Sequence, residues 1–506
     1  MDLHLQLFPA AMAAWKQFSV LGIFLMCFLL LCDFMKRRRS WNRYPPGPAS
    51  FPFIGTMLQI DHNNPHLSFT QLCKKYGNIF SLQNCWNNVV VLNGFKVIKE
   101  ALVDKSEDFA DRPFFAVYTQ LEYRKNHGLI LAKYGPSWKE QKRFILSALK
   151  DFGVGKKTLE DLVTEEAEHL CSSFSSKEGR PFDPHHLLNN AVSNIICSIT
   201  FGKCSLYKEQ NFQTLLNLLE ESKKEESGFL TQLLHAIPAL LFIPGIMQKA
   251  FRHQKELFGL LCDLVKMHKE TWLPSCKRGI VDAYLEEVEK RKNDENSSFS
   301  EENLTLIIGD LFAAGTETTT STLRWGLLYM VLHSNVQSKV QEEIDKVIGK
   351  NRPPKMEDQA KMPYTRAVIH EIQRVGDIVP LGLPHMTYRD TEVQGFFIPK
   401  GTTIVPNLSS VLKDEAMWEK PHHFHPEHFL DDKGQFAKQT GFMPFSAGRR
   451  ACPGEQLART ELFLFFSRLL QHFTFRIPEN HPRPSNDGYF ALTRTPYTYQ
   501  IQALLR

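Results

Sequence analysis

Residues 445–454 have the sequence FSAGRRACPG, and a long apolar pattern with helical spacing starts directly after them. Gly448 permits a tight backbone turn, and Pro453 suits the first position of a helix, where no backbone N–H is needed. Cys452 is therefore predicted to lie at a helix N-terminus, where N–H donors lower the pKa of a thiol, and Arg450 adds a positive charge. A buried, inert thiol is the usual alternative for a lone cysteine.

The spacing F-x-x-G-x-R-x-C-x-G decides between these alternatives. Phe445, Gly448, Arg450, Cys452 and Gly454 carry it, and it resembles the haem-binding loop of the cytochrome P450 superfamily. The resemblance implies that Cys452 is the axial ligand of a haem iron, that Arg450 pairs with a haem propionate, and that Phe445 and Gly448 shape the cofactor site. A thiolate ligand pushes electron density onto iron and favours O–O cleavage. The implied cofactors are haem b, O2 and electrons from NADPH delivered through a reductase.

Length and composition indicate one large catalytic domain. The 506 residues show no internal repeat, and a formal net charge of +5 is too mild to suggest a nucleic-acid-binding protein. The ten cysteines are scattered without a CxxC pair, which predicts neither a disulfide framework nor a zinc site. Reduced thiols and a cytosolic environment are expected. The predicted fold is mainly α with minor β sheets, as the cytochrome P450 fold implies.

The N-terminal region predicts a membrane anchor. An apolar run from Phe18 to Met35 is long enough to span a bilayer, and the basic residues 36–39 that follow it place the remaining chain in the cytosol. A cleaved signal peptide would carry its basic residues before the apolar run. Predicted boundaries are 1–39 for the signal anchor, 40–55 for a proline-rich hinge and 56–506 for the haem-thiolate domain. Microsomal members share such a hinge, which implies the endoplasmic reticulum membrane. Three sequons are then cytosolic and expected to stay unglycosylated: Asn296, Asn303 and Asn407.

A second unusual stretch, AAGTETTT at 313–320, lies inside a helical pattern that runs from Leu304 to Leu332. Glycine and threonine are poor helix formers, and Thr318 is expected to bond to the carbonyl of Ala314 and to open the helix locally. A packing site with self-satisfied threonines would explain these residues by themselves. Together with the cysteine loop, A-G-x-E-T-T resembles the oxygen-activation motif of the family. Thr318 and Glu317 are then the implied catalytic residues, which act on dioxygen and on protons.

The resemblance assigns further site residues. Lys142 stands where the family usually has arginine, and Arg143 follows it, so either residue could contact a propionate; lysine cannot make the planar bidentate contact. The other implied members of the propionate clamp are Arg112, Trp138 and His385. The implied lining of the substrate cavity, which the turn around 493–496 is expected to close, is Asp310, Ala314, Val379, Leu383 and Thr493.

Two structural features are predicted beside the site. Glu371 and Arg374 share one face of a helix expected over 364–375; the family's E-x-x-R pattern implies a buried pair that His428 completes, rather than an exposed pair. A basic region is either an ordinary solvated face or, as the resemblance implies, the docking surface for an acidic flavin-bearing reductase, with cytochrome b5 as a second electron donor. Its members are Lys139, Arg143, Lys150 and Lys156, with Phe152 at the apolar centre.

Three further stretches refine the resemblance. Residues 182–184, 194–197 and 457–462 resemble family two of the vertebrate microsomal cytochromes P450, and most of all its J subfamily. That likeness implies epoxidation and hydroxylation of polyunsaturated fatty acids such as arachidonic and linoleic acid, with some oxidation of xenobiotics. Two alternatives remain: a haem-thiolate isomerase of lipid peroxides, which should not need the acid–threonine pair, and a non-catalytic membrane haem binder.

Overall fold

The computed structural model describes residues 21–32, 43–115, 128–202, 209–274, 276–294 and 296–506. Residues 21–32 are helical and exposed throughout. Within the described ranges, no helix combines the length and the apolar character needed to cross a membrane. The other residues of the predicted anchor, and the basic residues 36–39, lie outside the described part of the chain, so the anchor stays a prediction.

Helices dominate the fold, as predicted. Their bounds are α1 (Pro65–Tyr76), α2 (Phe95–Lys99), α3 (Pro136–Asp151), α4 (Lys157–Ser175), α5 (His185–Phe201), α6 (Glu209–Ser227), α7 (Phe229–Ala236), α8 (Ile246–Ala250), α9 (Arg252–Glu270), α10 (Ile280–Lys290), α11 (Glu301–Leu332), α12 (Ser334–Val347), α13 (Pro363–Gly376), α14 (Ser409–Leu412) and α15 (Glu455–His472). The largest apolar cluster contains side chains from α3, α4, α5, α9, α10, α11, α12, α13 and α15.

The strands are short. Their bounds are β1 (Ile79–Asn84), β2 (Asn87–Asn93), β3 (His385–Met386), β4 (Thr391–Val393), β5 (Phe396–Ile398), β6 (Thr403–Asn407), β7 (Phe473–Arg476), β8 (Gly488–Ala491), β9 (Thr493–Pro496) and β10 (Gln502–Leu505). The main sheet has the order β1-β2-β6-β3, with β2 and β6 parallel. β4–β5, β8–β9 and β7–β10 form antiparallel pairs. The hairpin of β1 and β2 turns at Cys85, which has φ +53°. Residues 493–496 form a strand, not the predicted turn.

The central helix α11 begins three residues earlier than predicted. Its cap explains this start, because the Ser300 hydroxyl accepts a hydrogen bond from the N–H of Asn303 at 3.1 Å and two glutamates occupy the first turn. Thr318 donates its hydroxyl proton to the carbonyl of Ala314 at 2.7 Å, as predicted. The helix nevertheless runs without a break from 301 to 332, so the local opening expected at Thr318 is absent.

The ion pair on α13 is completely buried. Arg374 donates to both carboxylate oxygens of Glu371 at 2.7 and 2.8 Å, and both side chains have 0% exposure. His428 accepts the N–H of Lys420 at Nε2, which leaves the proton on Nδ1, 3.2 Å from Glu371. Arg374 also donates to three backbone carbonyls: Leu412, Pro421 and His423. The pair therefore joins α13 to the chain before the cysteine loop.

Two of the three sequons are inaccessible in the folded chain. Asn303 is 1% exposed and Asn407 is 0% exposed, and both donate hydrogen bonds with their amides. Asn296 is exposed. A glycan could therefore be attached to the folded protein only at Asn296, and the expectation that this site stays unmodified remains a prediction.

Candidate active site

The cysteine loop folds back on itself immediately before α15. The N–H of Cys452 donates to the carbonyl of Phe445 at 3.1 Å, and Ser446 and Gly448 adopt φ values of +59° and +75°. A Cβ added to Gly448 would lie 1.6 Å from the carbonyl oxygen of Leu102. Glycine is therefore required at this turn both for its backbone conformation and for the close approach of another segment.

Replacement of Gly448 by alanine is expected to prevent the loop from forming and to cause loss of haem from the purified protein. The matched control is Gly259→Ala in α9, because a Cβ there would meet no atom within 4 Å. Haem content per chain, measured after purification, should fall several-fold for the first variant and stay near the wild-type value for the second. Equal haem content in the two variants would contradict this account of the loop.

Cys452 has the predicted N–H donors but a different pKa. Its sulfur accepts hydrogen bonds from the backbone N–H groups of Gly454 and Glu455. Burial nevertheless raises the pKa of the thiol, because desolvation of the anion outweighs these two donors and the charge of Lys142. The predicted fall in the pKa of the Cys452 thiol is therefore wrong for the protein without a coordinated metal ion. A coordinated metal ion deprotonates a thiol outright. The helix begins at Glu455, so Pro453 precedes it and does not occupy its first position.

The surface around the sulfur has the character of an internal cavity. Cys452 is enclosed by protein atoms but keeps accessible surface. Ala313 and Ala314 are likewise exposed, although they lie in the middle of a helix whose second half is almost entirely buried. A Cβ on the next residue, Gly315, would lie 2.5 Å from the side chain of Ile196, so α11 approaches α5 closely behind these alanines. Small side chains thus leave room on this side of α11.

Two arginines lie near the cysteine loop, of which Arg112 is buried and Arg450 is half-buried. Arg112 is 3% exposed and donates to the carbonyls of Ile130 and Pro384 at 3.0 and 2.6 Å. Arg450 lies 4.0 Å above the ring of Trp138. It donates to three backbone carbonyls: Ala110, Leu129 and Ala132. These backbone contacts fix both guanidinium groups, and a guanidinium is the preferred partner of a carboxylate.

His385 is buried within reach of the charges of Arg112 and Arg450, and it is neutral in the protein by itself. Burial and the charges of Arg112 and Arg450 hold its pKa well below the usual range. Its Nδ1 lies 2.7 Å from the carbonyl of Phe109, so this nitrogen must carry the proton. Nε2 of the neutral ring is then an acceptor. His385 could donate to a propionate through Nε2 only as an imidazolium, a form that a nearby carboxylate would favour.

Lys142 and Arg143, the two candidates on α3 for contact with a propionate, have different surroundings. Lys142 donates to the carbonyl of Arg449 and interacts electrostatically with Cys452, so it lies at the site. Arg143 is exposed and neighbours Glu140 instead. The Trp138 indole donates to the carbonyl of Leu129 at 3.0 Å, and this bond uses the single donor that was expected to serve a propionate. Of the predicted pair, Lys142 is therefore the residue that lies at the cysteine loop, and its contact with a propionate stays a prediction.

This set of side chains fits a haem group. One sulfur with two N–H donors suits an iron ligand, and α11 carries small, exposed side chains at Ala313 and Ala314. Buried or half-buried cations suit the two propionate carboxylates: Arg112, Lys142 and Arg450. His385 can join them once it is protonated.

Two acidic groups on α11 have partners that the sequence did not indicate. Asp310 accepts the backbone N–H groups of Leu129 and Ile130 at 2.7 and 3.0 Å, and burial raises its pKa to about 6. Asp310 therefore anchors this segment of chain to α11. Its predicted contact with substrate stays a prediction. Glu317 contacts Lys223 on α6 at 2.5 Å. No local pattern marks Lys223, which is 94 residues away in the chain.

The remaining predicted positions lie around this region. Thr493 is buried on β9 and donates to Glu317 at 3.1 Å. Val379 and Leu383 are half-buried in the segment between α13 and β3. On the outer face, the basic side chains of Arg143, Lys150 and Lys156 are exposed. Phe152 is half-buried and packs against the main core, so it offers less apolar surface than predicted.

Comparison with known proteins decides the family. The profile of the family described as "Cytochrome P450" matches residues 45–503. This chain is a cytochrome P450. Members of the family are monooxygenases that use haem b, O2 and electrons from NADPH supplied through a reductase. The family predicted from the cysteine loop is thus confirmed.

Relatives of this P450 refine the assignment. Cytochrome P450 2D20 of Mesocricetus auratus is 55% identical over 487 residues, which cover 96% of this chain and 97% of the relative. Cytochrome P450 2D14 of Bos taurus is 55% identical, and cytochrome P450 2D6 of Homo sapiens is 54% identical, each over 489 residues that cover 96% of this chain and 98% of the relative. These relatives support family two, but the expected likeness to subfamily J is corrected to subfamily D.

Proposed function

We propose that this P450 oxidises lipophilic small molecules, with xenobiotics and polyunsaturated fatty acids as its two substrate classes. The arrangement of Thr318 and Glu317 on α11 supports this proposal most strongly, since an isomerase of lipid peroxides should not need that pair. The fatty-acid class came from the likeness to subfamily J, which the relatives correct, and it is therefore one arm of the test rather than the sole substrate.

Each side chain has a task that its contacts suggest. When bound, haem supplies the activation of O2. Cys452 would hold the iron, and Arg112, Arg450 and Lys142 would hold the propionates. Thr318 donates a hydrogen bond to the carbonyl of Ala314, which leaves its hydroxyl oxygen able to accept a hydrogen bond and to take part in a proton relay.

An apolar surface supports association with a membrane. Phe242 is 89% exposed and Leu58 is 69% exposed. The segments that carry them pack together, because one small cluster contains Met57, Cys85 and Ala236. Exposed apolar patches of this kind mark membrane or protein contacts. We place this surface against the endoplasmic reticulum membrane, together with the predicted anchor and with the catalytic domain in the cytosol.

A basic surface supports docking of the reductase. Its exposed cations lie on α3 and in the turn that follows this helix, close to the cysteine loop that Lys142 contacts. Charge complementarity accelerates the encounter of two proteins and makes it dependent on salt. An acidic flavin-bearing reductase fits this surface, as does cytochrome b5. The proposed contact residues are Lys139, Arg143, Lys150 and Lys156, with Phe152 at the centre.

Substrate profiling tests the proposal. The full chain is reconstituted with haem, reductase, NADPH and lipid vesicles, and is supplied with a panel of xenobiotics and with arachidonic and linoleic acids. NADPH-dependent oxygenated products are expected from both classes, and absence of product from one class would remove that class from the proposal. Turnover of a lipid hydroperoxide without NADPH, and no other turnover, would instead identify an isomerase. Consumption of no NADPH with any compound would identify a haem binder.

Replacement of Thr318 by valine is expected to lower the yield of product per NADPH by about tenfold or more, because valine keeps the shape but loses the hydroxyl that handles the proton. The matched control is Thr322→Val, since Thr322 donates to the carbonyl of Thr318 at 2.7 Å in the same way one turn later. Product, NADPH and hydrogen peroxide are measured together. Similar losses of yield in both variants would show that the effect is structural rather than specific to Thr318.

A further inference from the structure

One carboxylate oxygen of Glu317 joins three elements of the fold. Oε1 lies 2.5 Å from Nζ of Lys223 on α6 and 3.1 Å from the hydroxyl of Ser321, one turn further along α11. The hydroxyls of Thr493 and Thr495 on β9 donate to the same oxygen at 3.1 and 3.3 Å. The side chains of Lys223 and Glu317 are only 15% and 24% exposed. Solvent and salt therefore screen this ion pair much less than a surface pair.

Lys223 determines the charge of this carboxylate. Burial by itself would raise the pKa of Glu317, but the ammonium group of Lys223 and the hydroxyl donors hold that pKa below its usual value. His185 on α5 is a second titratable neighbour of Glu317. Its own pKa is lowered by burial and by the charge of Arg324, so it is neutral near pH 7. The charge that favours a carboxylate at position 317 therefore comes from Lys223.

We infer that Lys223 is a positioning residue for proton delivery, which holds the Glu317 carboxylate in place beside Thr318 and fixes α6 to α11 and β9. This inference rests on the proposed monooxygenase function. The step that it serves moves only a proton, from solvent to the Glu317 carboxylate and onward through the Thr318 hydroxyl, after which Glu317 is again a carboxylate. The electrons are those that NADPH supplies.

Removal of the lysine leaves a buried carboxylate without its counter-ion. Such a group takes up a proton rather than remain charged. Glu317 would then be ionised only at higher pH, and its contacts with Thr493 and Thr495 would weaken. Electrons that still arrive from NADPH would be lost as hydrogen peroxide. An arginine at position 223 would preserve the charge, whereas a methionine would preserve only the length of the side chain.

The haem-loaded full chain is compared as wild type, Lys223→Met, Lys223→Arg and Glu317→Gln, with reductase and NADPH. Product per NADPH and hydrogen peroxide are measured from about pH 6 to about pH 9. Because Lys223 holds the pKa of Glu317 below its usual value, the wild type should show no acidic limb from Glu317 in this range. Lys223→Met is expected to lower product per NADPH about fivefold at neutral pH and to gain an acidic limb, because its buried Glu317 would ionise only at higher pH. Lys223→Arg should restore the yield and the profile of the wild type, and Glu317→Gln should show no acidic limb.

The matched control is the next residue. Lys224 is 57% exposed and pairs with Glu221 on the surface of α6. Lys224→Met should therefore leave the product yield and the pH profile unchanged. A pH profile of Lys223→Met that coincides with that of the wild type would overturn the inference.

A second measurement does not depend on catalysis. The Tm values of the wild type, the two single variants Lys223→Met and Glu317→Gln, and the double variant form a double-mutant cycle. The double variant should lose less than the sum of the two single losses, because it contains no uncompensated buried charge. Additive losses would overturn the inference. If the wild type forms no product from any compound while the cycle still shows coupling, the proposed function fails and the ion pair stands.

Discussion

Replacement of Glu371 by alanine is expected to lower the free energy of unfolding by about 3–5 kcal/mol, which makes it one of the most damaging single substitutions in this P450. The reason is the complete burial of its partner. Arg374 has 0% exposure, so the guanidinium would stay in the interior without its counter-ion. His428 would lose the acceptor of its Nδ1 proton, and the N–H of His425 would lose an acceptor at 2.8 Å.

The matched control for this prediction has the same spacing on a surface. Glu289 pairs with Lys292 at i, i+3, and the two side chains are 61% and 70% exposed. Glu289→Ala should cost no more than about 0.5 kcal/mol. The Tm and the haem content of both variants test this prediction. A Glu371→Ala protein that retains its haem and the Tm of the control would refute the structural role assigned to this pair.

Stability should fall as pH rises through the range in which Glu461 ionises. This residue of α15 is 1% exposed; one of its carboxylate oxygens bonds Thr319, and Oε1 has no partner in the described protein. Burial raises its pKa from 4.5 to about 8. The folded protein therefore keeps this proton at pH values where the unfolded chain has released it. The penalty begins above about pH 4.5, grows until about pH 8, and reaches roughly 3–5 kcal/mol.

The variant Glu461→Gln tests whether stability falls with rising pH because of Glu461. Glutamine has the shape of the protonated acid but does not titrate, so its Tm should change less between about pH 6 and about pH 9 than that of the wild type. The variant should be the more stable protein at the alkaline end. Glu342→Gln, at an exposed position on α12, serves as the control and should follow the wild type. Parallel pH dependence in all three proteins would contradict the assignment to Glu461.

The features that could be predicted from the sequence are those whose residues lie close together along the chain. The cysteine loop has five defined positions within ten residues, and the turn at Gly448 has the geometry that its glycine indicated. The long helix and the Glu371–Arg374 pair follow from periodicity and from an i, i+3 spacing. These signals are local because the backbone geometry that produces them is local.

The features that were missed depend on contacts between distant segments. Lys223 reaches Glu317 from α6, 94 residues away in the chain. Trp138 donates a hydrogen bond to the carbonyl of Leu129, which lies in the segment before α3. The raised pKa of Cys452 has a similar origin: helix N-terminal donors are visible in the sequence, but the burial that outweighs them is not. Subfamily membership was misjudged because the three short stretches at 182–184, 194–197 and 457–462 carry too little information to separate close subfamilies.

The central claim is that Cys452 is the thiolate ligand of a haem iron. The most direct measurement is the absorption spectrum of the reduced carbon-monoxide complex, recorded for the wild type, for Cys452→Ala and for the exposed-cysteine control Cys276→Ala. The wild type and the control are expected to show the red-shifted Soret band of thiolate ligation. Cys452→Ala is expected to lose it. Persistence of that band in Cys452→Ala would contradict the claim.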